Sequence, residues 1–142
     1  MELIGAGDIN KIKVVFDTNS NEQFIHRDFF KSHEMLKKLI FNAKIICFID
    51  SSKSPTKIYA YYIQPDNSKI RSTALIAFFD DIDGLNESIL MLKDTIGEKL
   101  KKITITLTND DINHGKILQS AGFVREVHID SFEKVDIFAK EV

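Results

Sequence analysis

Hydrophobic and polar residues alternate most regularly at the start of residues 102–123. Ile103, Ile105 and Leu107 are each followed by a threonine. Apolar, mainly β-branched residues that recur with a period of two are typical of a β strand with one buried face. The pattern therefore predicts a strand over residues 103–108.

A short helix is predicted directly after this strand. Three consecutive residues can cap its start through a side-chain oxygen, and these are Asn109, Asp110 and Asp111. Ile117 and Ala121 then lie on one helical face, and Gly122 favours the left-handed backbone with which many helices end. Phe123 and Val124 begin another extended segment.

The remaining segments follow the same two periods. Further strands are predicted at residues 2–4, 45–50, 57–64, 70–80, 124–129 and 134–140. A first helix begins at Asp8, a second covers about 26–41 and a third covers about 84–101. The third has an apolar stripe at Leu85, Ile89, Leu92 and Ile96, and its negative end suits the cations Lys99, Lys101 and Lys102.

Short turns join the strands between residues 44 and 80, which predicts a meander of neighbouring antiparallel strands. Pro55 and Pro65 fall in the predicted turns, where a missing backbone donor does no harm. The middle strand carries three tyrosines, Tyr59, Tyr61 and Tyr62. We expect them to pack on a core, with a substrate groove as the alternative.

Composition narrows the class of protein. The 142 residues, with 44% hydrophobic and 28% charged side chains, suit one globular domain over residues 1–142. A net charge of −2 provides no field for nucleic acid or an anionic membrane. Cys47 lies in an apolar run and is predicted to be buried and inert. Without a disulfide framework, a membrane span or a signal peptide, a cytoplasmic location is expected.

The chain resembles the GNAT superfamily of acyl-CoA N-acyltransferases. The best match is Gly122-Phe123-Val124-Arg125-Glu126 after the last helix, which is similar to the family's Gly-Phe turn and closing hairpin. The order of predicted elements also matches from end to end. The resemblance implies an α+β fold, an α/β/α sandwich. Its central sheet would be mixed and mostly antiparallel, with splayed fourth and fifth strands and about four helices.

The same resemblance implies transfer of acetyl from acetyl-CoA to a primary amine of a small molecule or peptide, and leaves a homodimer open. In the family, a (Gln/Arg)-x-x-Gly-x-(Gly/Ala) loop holds the CoA pyrophosphate at a helix start. The aligned segment here is residues 81–86, and only Gly84 matches. The implied cofactor-binding residues are Phe79, Asp81, Gly84, Leu85, Asn86, Asn109 and Asn113.

The aligned loop is acidic, with carboxylates at Asp80, Asp81 and Asp83. These would repel a pyrophosphate, and Asp83 is a natural cap for the third helix. A calcium loop is the alternative, but Phe79 and Leu90 stand where oxygen ligands are needed, so no metal site is predicted.

The catalytic positions depart from the family as well. The family's common general acid is a tyrosine four residues before the glycine, and this chain has Leu118 there. The candidates for proton transfer are Asp80, His114 and Ser120. Two alternatives to an acetyltransferase stay open. One is a GNAT-fold binding or regulatory module without acyl-CoA chemistry, and the other is a small α+β domain outside the family.

Overall fold

The computed structural model of the chain describes residues 1–8, 10–11, 33–52, 57–66, 69–77, 82–131 and 134–142. Seven strands lie in these ranges: β1 (Glu2–Ile4), β2 (Ile45–Asp50), β3 (Lys57–Asp66), β4 (Lys69–Ala77), β5 (Leu100–Thr108), β6 (Val124–Ile129) and β7 (Val135–Glu141). The helices described are a 3₁₀ turn (Ala6–Asp8), α1 (His33–Phe41), α2 (Ile82–Ile96) and α3 (Ile112–Ser120).

All seven strands form one sheet in the order β1-β2-β3-β4-β5-β7-β6. The first four strands form an antiparallel meander, as the short turns predict. β4 and β5 run parallel, whereas β7 pairs antiparallel with both β5 and β6. The predicted mixed, mostly antiparallel sheet is therefore confirmed.

Helices cover both faces of this sheet. On one face, α2 and α3 bury a cluster that includes Phe48, Tyr61, Leu92, Ile105, Leu118 and Phe138. On the other face, Ile45, Cys47 and Ile49 of β2 are also buried, and α1 contacts β2. Successive strand residues point to opposite faces, so burial of nearly all of β2 requires helices on both sides. The architecture is the predicted α/β/α sandwich.

Two core residues behave as their sequence context predicts. Cys47 is completely buried, and this burial raises the pKa of its thiol from 9.0 to about 12. Tyr61 is also completely buried, and its hydroxyl lies 2.6 Å from Ser88 Oγ. Because Ser88 donates its own proton to the Leu85 carbonyl, Tyr61 donates to Ser88. Burial raises the pKa of Tyr61.

The third predicted helix ends earlier than expected. α2 stops at Ile96 because Gly97 adopts a left-handed backbone with φ of 92°. Lys101 and Lys102 therefore lie in β5, so their predicted place at the helix end is wrong. Pro65 lies inside β3, opposite Ile70, and not in the turn.

The helices near the amino-terminal part of the chain are described only in part. Residues 6–8 form the 3₁₀ turn, and the remainder of the predicted first helix lies largely outside the described residues. The start of the predicted second helix also lies outside them, and its described part is α1. No described helix is long and apolar enough to cross a membrane.

Candidate functional site

The parallel strands β4 and β5 separate towards their carboxyl ends. Their pairs run from Ile70↔Leu100 to Ala74↔Ile105. β4 nevertheless continues to Ala77, and β5 continues to Thr108. Within the described parts of both strands, no pair joins them beyond Ala74 and Ile105. The predicted splay of the fourth and fifth strands is confirmed.

A β-bulge in β4 lies at the start of this separation. Ala60 pairs with Ile76 and Tyr61 pairs with Ala74, so Leu75 has no opposite residue on β3. A bulge bends its strand and increases the local twist. The bulge falls where the pairing with β5 stops, so it marks the place at which the sheet opens.

Two helix N-termini lie at the same edge of the sheet as this opening. α2 begins at Ile82, shortly after β4, and α3 begins at Ile112, shortly after β5. Helices that follow neighbouring parallel strands begin at the same sheet edge. Each N-terminus carries unpaired backbone N–H groups and a partial positive charge, which together favour anions.

The start of α2 contains several of the predicted cofactor-binding residues. Gly84 and Leu85 are buried, Asn86 is half-buried, and Asp83 is exposed. Because the helix already includes Asp83 as its second residue, the prediction that Asp83 is the N-cap is wrong. Three predicted site residues, Phe79, Asp80 and Asp81, lie outside the described residues.

The start of α3 is capped by the side chain of the residue that precedes the helix. Of the three predicted cap candidates, Asp111 is the N-cap, and its Oδ1 accepts a hydrogen bond from the backbone N of His114 at 3.3 Å. The same oxygen lies 2.7 Å from His114 Nδ1. The His114 side chain is 13% exposed. One carboxylate thus caps the helix and also orients the imidazole.

Only some of the residues predicted on α3 lie together. Leu118 is completely buried, and it lies four residues after His114, hence on the same helical face. Ser120 is exposed at the far end of the helix, about 9 Å along the axis from His114. Asn113 is exposed near the start. His114 therefore lies near the opening, whereas Ser120 does not.

Asn109 lies at the end of β5 and connects it to the β6–β7 hairpin. Its backbone N donates to Lys134 O at 2.8 Å, and its Nδ2 donates to Ile129 O at 3.1 Å. Its Oδ1 is buried and has no hydrogen-bond partner among the described residues. A buried acceptor without a donor is costly, so this oxygen marks a place where a ligand or water is needed.

A groove of about 210 Å³ lies beside Asn109, between α3 and the hairpin. Its lining includes Asn109, Asp111, Lys116, Arg125, Asp136 and Phe138. We call it the hairpin groove. At the inner wall of the groove, α3 lies very close to β7. A Cβ atom at Gly115 would be only 3.3 Å from Phe138 Cζ.

The sequence interpretation missed Asp136 in this groove. The residue is 8% exposed, and its Oδ1 lies 2.5 Å from His128 Nδ1, whereas its Oδ2 lies 3.9 Å from the Arg125 guanidinium. Alternation along β7 places Asp136 and Phe138 on one face of the sheet and Val135 and Ile137 on the other. It does not show that other parts of the protein cover both faces.

Comparison with known proteins identifies the fold. No family model and no curated protein matches the sequence. An N-acetyltransferase from Staphylococcus aureus has a similar structure, with a TM-score of 0.70 and 12% identity over 99% of this chain and 95% of that one.

A GNAT-family acetyltransferase from Streptococcus pneumoniae gives a TM-score of 0.65 and 13% identity over 99% and 100% of the two chains. The ribosomal L7/L12 α-N-protein acetyltransferase RimL, solved with coenzyme A, gives a TM-score of 0.65 and 8% identity over 99% of this chain and 92% of that one. The chain thus has the fold of the GNAT N-acetyltransferases, in a divergent sequence, as the resemblance implies.

Proposed function

We propose that the protein is an N-acetyltransferase that moves an acetyl group from acetyl-CoA to a primary amine of a small molecule or peptide. The observation that carries this proposal is the opening between β4 and β5, with two helix starts at the same edge. A fold shared with N-acetyltransferases, one of them solved with coenzyme A, supports it.

The opening suits the chemistry of an acyl-CoA thioester. Beyond Ala74 and Ile105, the facing backbone groups of the two strands have no ladder partners among the described residues. Such groups need hydrogen bonds, and the amides of the pantetheine arm of CoA can provide them. A strand N–H that points into the opening could also polarise the thioester carbonyl, where negative charge develops during attack.

The start of α2 is the better place for the pyrophosphate. Gly84 is buried in its first turn, whereas the start of α3 already has the Asp111 carboxylate as its cap. The exposed Asp83 carboxylate opposes an anion at α2 and weakens its binding. We therefore expect acetyl-CoA to bind, but less tightly than at a loop without acidic residues.

His114 is the residue that we assign to the leaving group. In the reaction, the amine nitrogen bonds to the thioester carbon, the carbon–sulfur bond breaks, and the thiolate accepts a proton. Leu118 offers no proton and is buried, whereas His114 lies one helical turn earlier on the same face, held by Asp111. A second group removes the proton of the amine, and Asp80 is the residue predicted for this role from the sequence.

A binding or regulatory module is the second candidate. The burial of Leu118 where the family often has a tyrosine, together with the acidic start of α2, favours it. The two functions differ in one measurable property, because a module without acyl-CoA chemistry transfers no acetyl group to any amine.

Titration with acetyl-CoA tests the proposal. At 100 times its dissociation constant, a ligand adds about 2.7 kcal/mol of stability, which raises the melting temperature by on the order of 8 °C in a domain of this size. We expect such a rise, and release of free thiol when a panel of primary amines is added. No thermal shift at millimolar acetyl-CoA would overturn the proposal, and binding without turnover would favour the module.

A matched pair of histidine variants tests the proton donor. His114→Gln should lower kcat by about 100-fold or more, which is the usual contribution of general acid–base catalysis. His128→Gln is the control, because His128 also contacts a carboxylate but lies on the hairpin. An equal loss in both variants, or no loss in either, would remove His114 from the mechanism.

A further inference from the structure

The hairpin groove lies on a different side of α3 from His114. Ile112, Gly115, Lys116 and Gln119 line the groove and recur at three and four residues, so they share one helical face. His114 and Leu118 lie on another face, and Leu118 packs with residues of α2 in the common core. The groove is therefore separate from the opening between β4 and β5, and the proposed acetyl transfer does not use the groove.

Charges of both signs line this groove in equal number. Asp111 and Asp136 provide two carboxylates, and Lys116 and Arg125 provide two cations. A purely anionic or purely cationic ligand would meet repulsion from one pair as well as attraction to the other. Both oxygens of Asp136 already face His128 and Arg125, so Asp111 is the carboxylate that remains for an ammonium. A ligand that carries one ammonium and one carboxylate finds an opposite charge in the groove for each.

Two of the residues that line the groove can accept hydrogen bonds from an ammonium, and these are Asn109 and Asp111. Asn109 Oδ1 is buried without a partner among the described residues. Its identity as an oxygen follows from the network, because Nδ2 must be the atom that donates to Ile129 O. The described contacts of the Asp111 carboxylate use Oδ1, so Oδ2 is the atom available to a ligand within the described part of the chain.

The groove also has cationic and apolar lining residues. Arg125 is half-exposed and lies 3.9 Å from Asp136, so its guanidinium is held near the groove while keeping other donors for a ligand. Ile112 is 62% exposed, and with Phe138 it provides an apolar surface. At about 210 Å³ the groove is smaller than the roughly 300–1,000 Å³ of drug-sized pockets, so its ligand is small.

We propose that the hairpin groove binds a small zwitterion of the α-amino-acid class with an apolar side chain. Its ammonium contacts Asn109 Oδ1 and Asp111 Oδ2, its carboxylate contacts Arg125 with Lys116 nearby, and its side chain packs on Ile112 and Phe138. Because Asp111 also holds His114, occupancy of the groove changes the environment of the His114 ring. The site goes beyond the proposed transferase and requires no acetyl-CoA.

Nuclear magnetic resonance of the ¹⁵N-labelled full chain tests this site directly. L-leucine is titrated in the absence of acetyl-CoA, beside 3-methylbutylamine, which lacks the carboxylate, and 4-methylpentanoate, which lacks the ammonium. We expect saturable shifts of the Asn109 side-chain amide and of residues 111–116 with leucine. Each half-molecule should bind at least about tenfold more weakly, since each loses one set of charged hydrogen bonds.

Two exposed-residue variants provide the matched comparison. Arg125→Gln should remove the preference for leucine over 3-methylbutylamine, whereas Lys99→Gln, in the turn after α2, should change neither affinity. No saturable shift up to about 10 mM leucine, a range in which even weak ligands bind, would overturn the proposal. Equal binding of the amine alone, or shifts confined to the β4–β5 opening, would overturn it as well. Because acetyl-CoA is absent, none of these outcomes depends on acetyl transfer.

Discussion

The N-termini of α2 and α3 lie at one edge of the sheet, but their acidic residues occupy different positions in the two helices. Asp111 accepts the backbone N–H of His114 and closes the start of α3. At α2, Asp83 is inside the helix and exposed, so it adds negative charge without occupying the cap position. Two acidic residues at different positions of a helix start thus have different effects. A capping carboxylate stabilises its helix and excludes an anion, whereas an exposed one in the first turn only weakens anion binding.

The largest effect is expected from Leu118→Tyr, which adds the hydroxyl that the family often has on this helix. Leu118 is completely buried in the core, so a tyrosine would overpack the site and bury a hydroxyl without a partner. We expect a loss of about 3 kcal/mol in the free energy of unfolding, measured by urea denaturation. Leu118→Met conserves the volume and should cost less than about 1.5 kcal/mol. A stable, active tyrosine variant would contradict the assignment of this face to the core.

The capping role of Asp111 predicts an intermediate effect. Asp111→Ala removes the acceptor for His114 N and should lower the free energy of unfolding by about 1 kcal/mol, whereas Asp111→Asn should retain most of that stability. Asp110→Ala provides the control, since Asp110 is an exposed neighbour, and its effect should stay within about 0.5 kcal/mol. Equal losses in the Asp110 and Asp111 alanine variants would show that the two starts do not differ in capping.

The smallest effect on stability is expected at α2. Asp83→Lys places a cation in the first turn, which should cost about 0.5 kcal/mol against the helix dipole. The same change should tighten acetyl-CoA binding about fivefold at low salt, and less at high salt because the exposed charge is screened.

Asp94→Lys is the matched control for this variant. It makes the same charge change near the other end of α2, at another exposed position, and should leave the acetyl-CoA affinity unchanged. Calorimetric titration of both variants at two salt concentrations measures the difference. A similar gain in both would attribute the effect to net charge and not to the helix start.

The elements could be predicted wherever the side-chain period was clear. Residues 45–50 and 124–129 are strands with the predicted bounds, because alternation and turn residues agree there. The end of α2 is harder to predict, because the lysines after Gly97 also suit a helix C-terminus, although glycine after an apolar stripe is itself a stop signal.

The site was less predictable because it depends on packing between distant segments. The sequence limited the α3 cap to three residues, and only the helix geometry selects Asp111. The bulge at Leu75 leaves no trace in the local pattern, although it lies where β4 and β5 stop pairing. Asp136 is buried because α3 packs over β7, and no period along β7 itself reports that contact.

The position of β7 between β5 and β6 has a consequence for the growing chain. Strand pairs such as Lys102↔Glu141 and Val124↔Ala139 can form only after the ribosome has released residues 135–141. Until then, the edge of β5 that β7 will cover is open and able to pair with another chain. Protection of that edge by a chaperone would therefore govern how much newly made protein escapes aggregation.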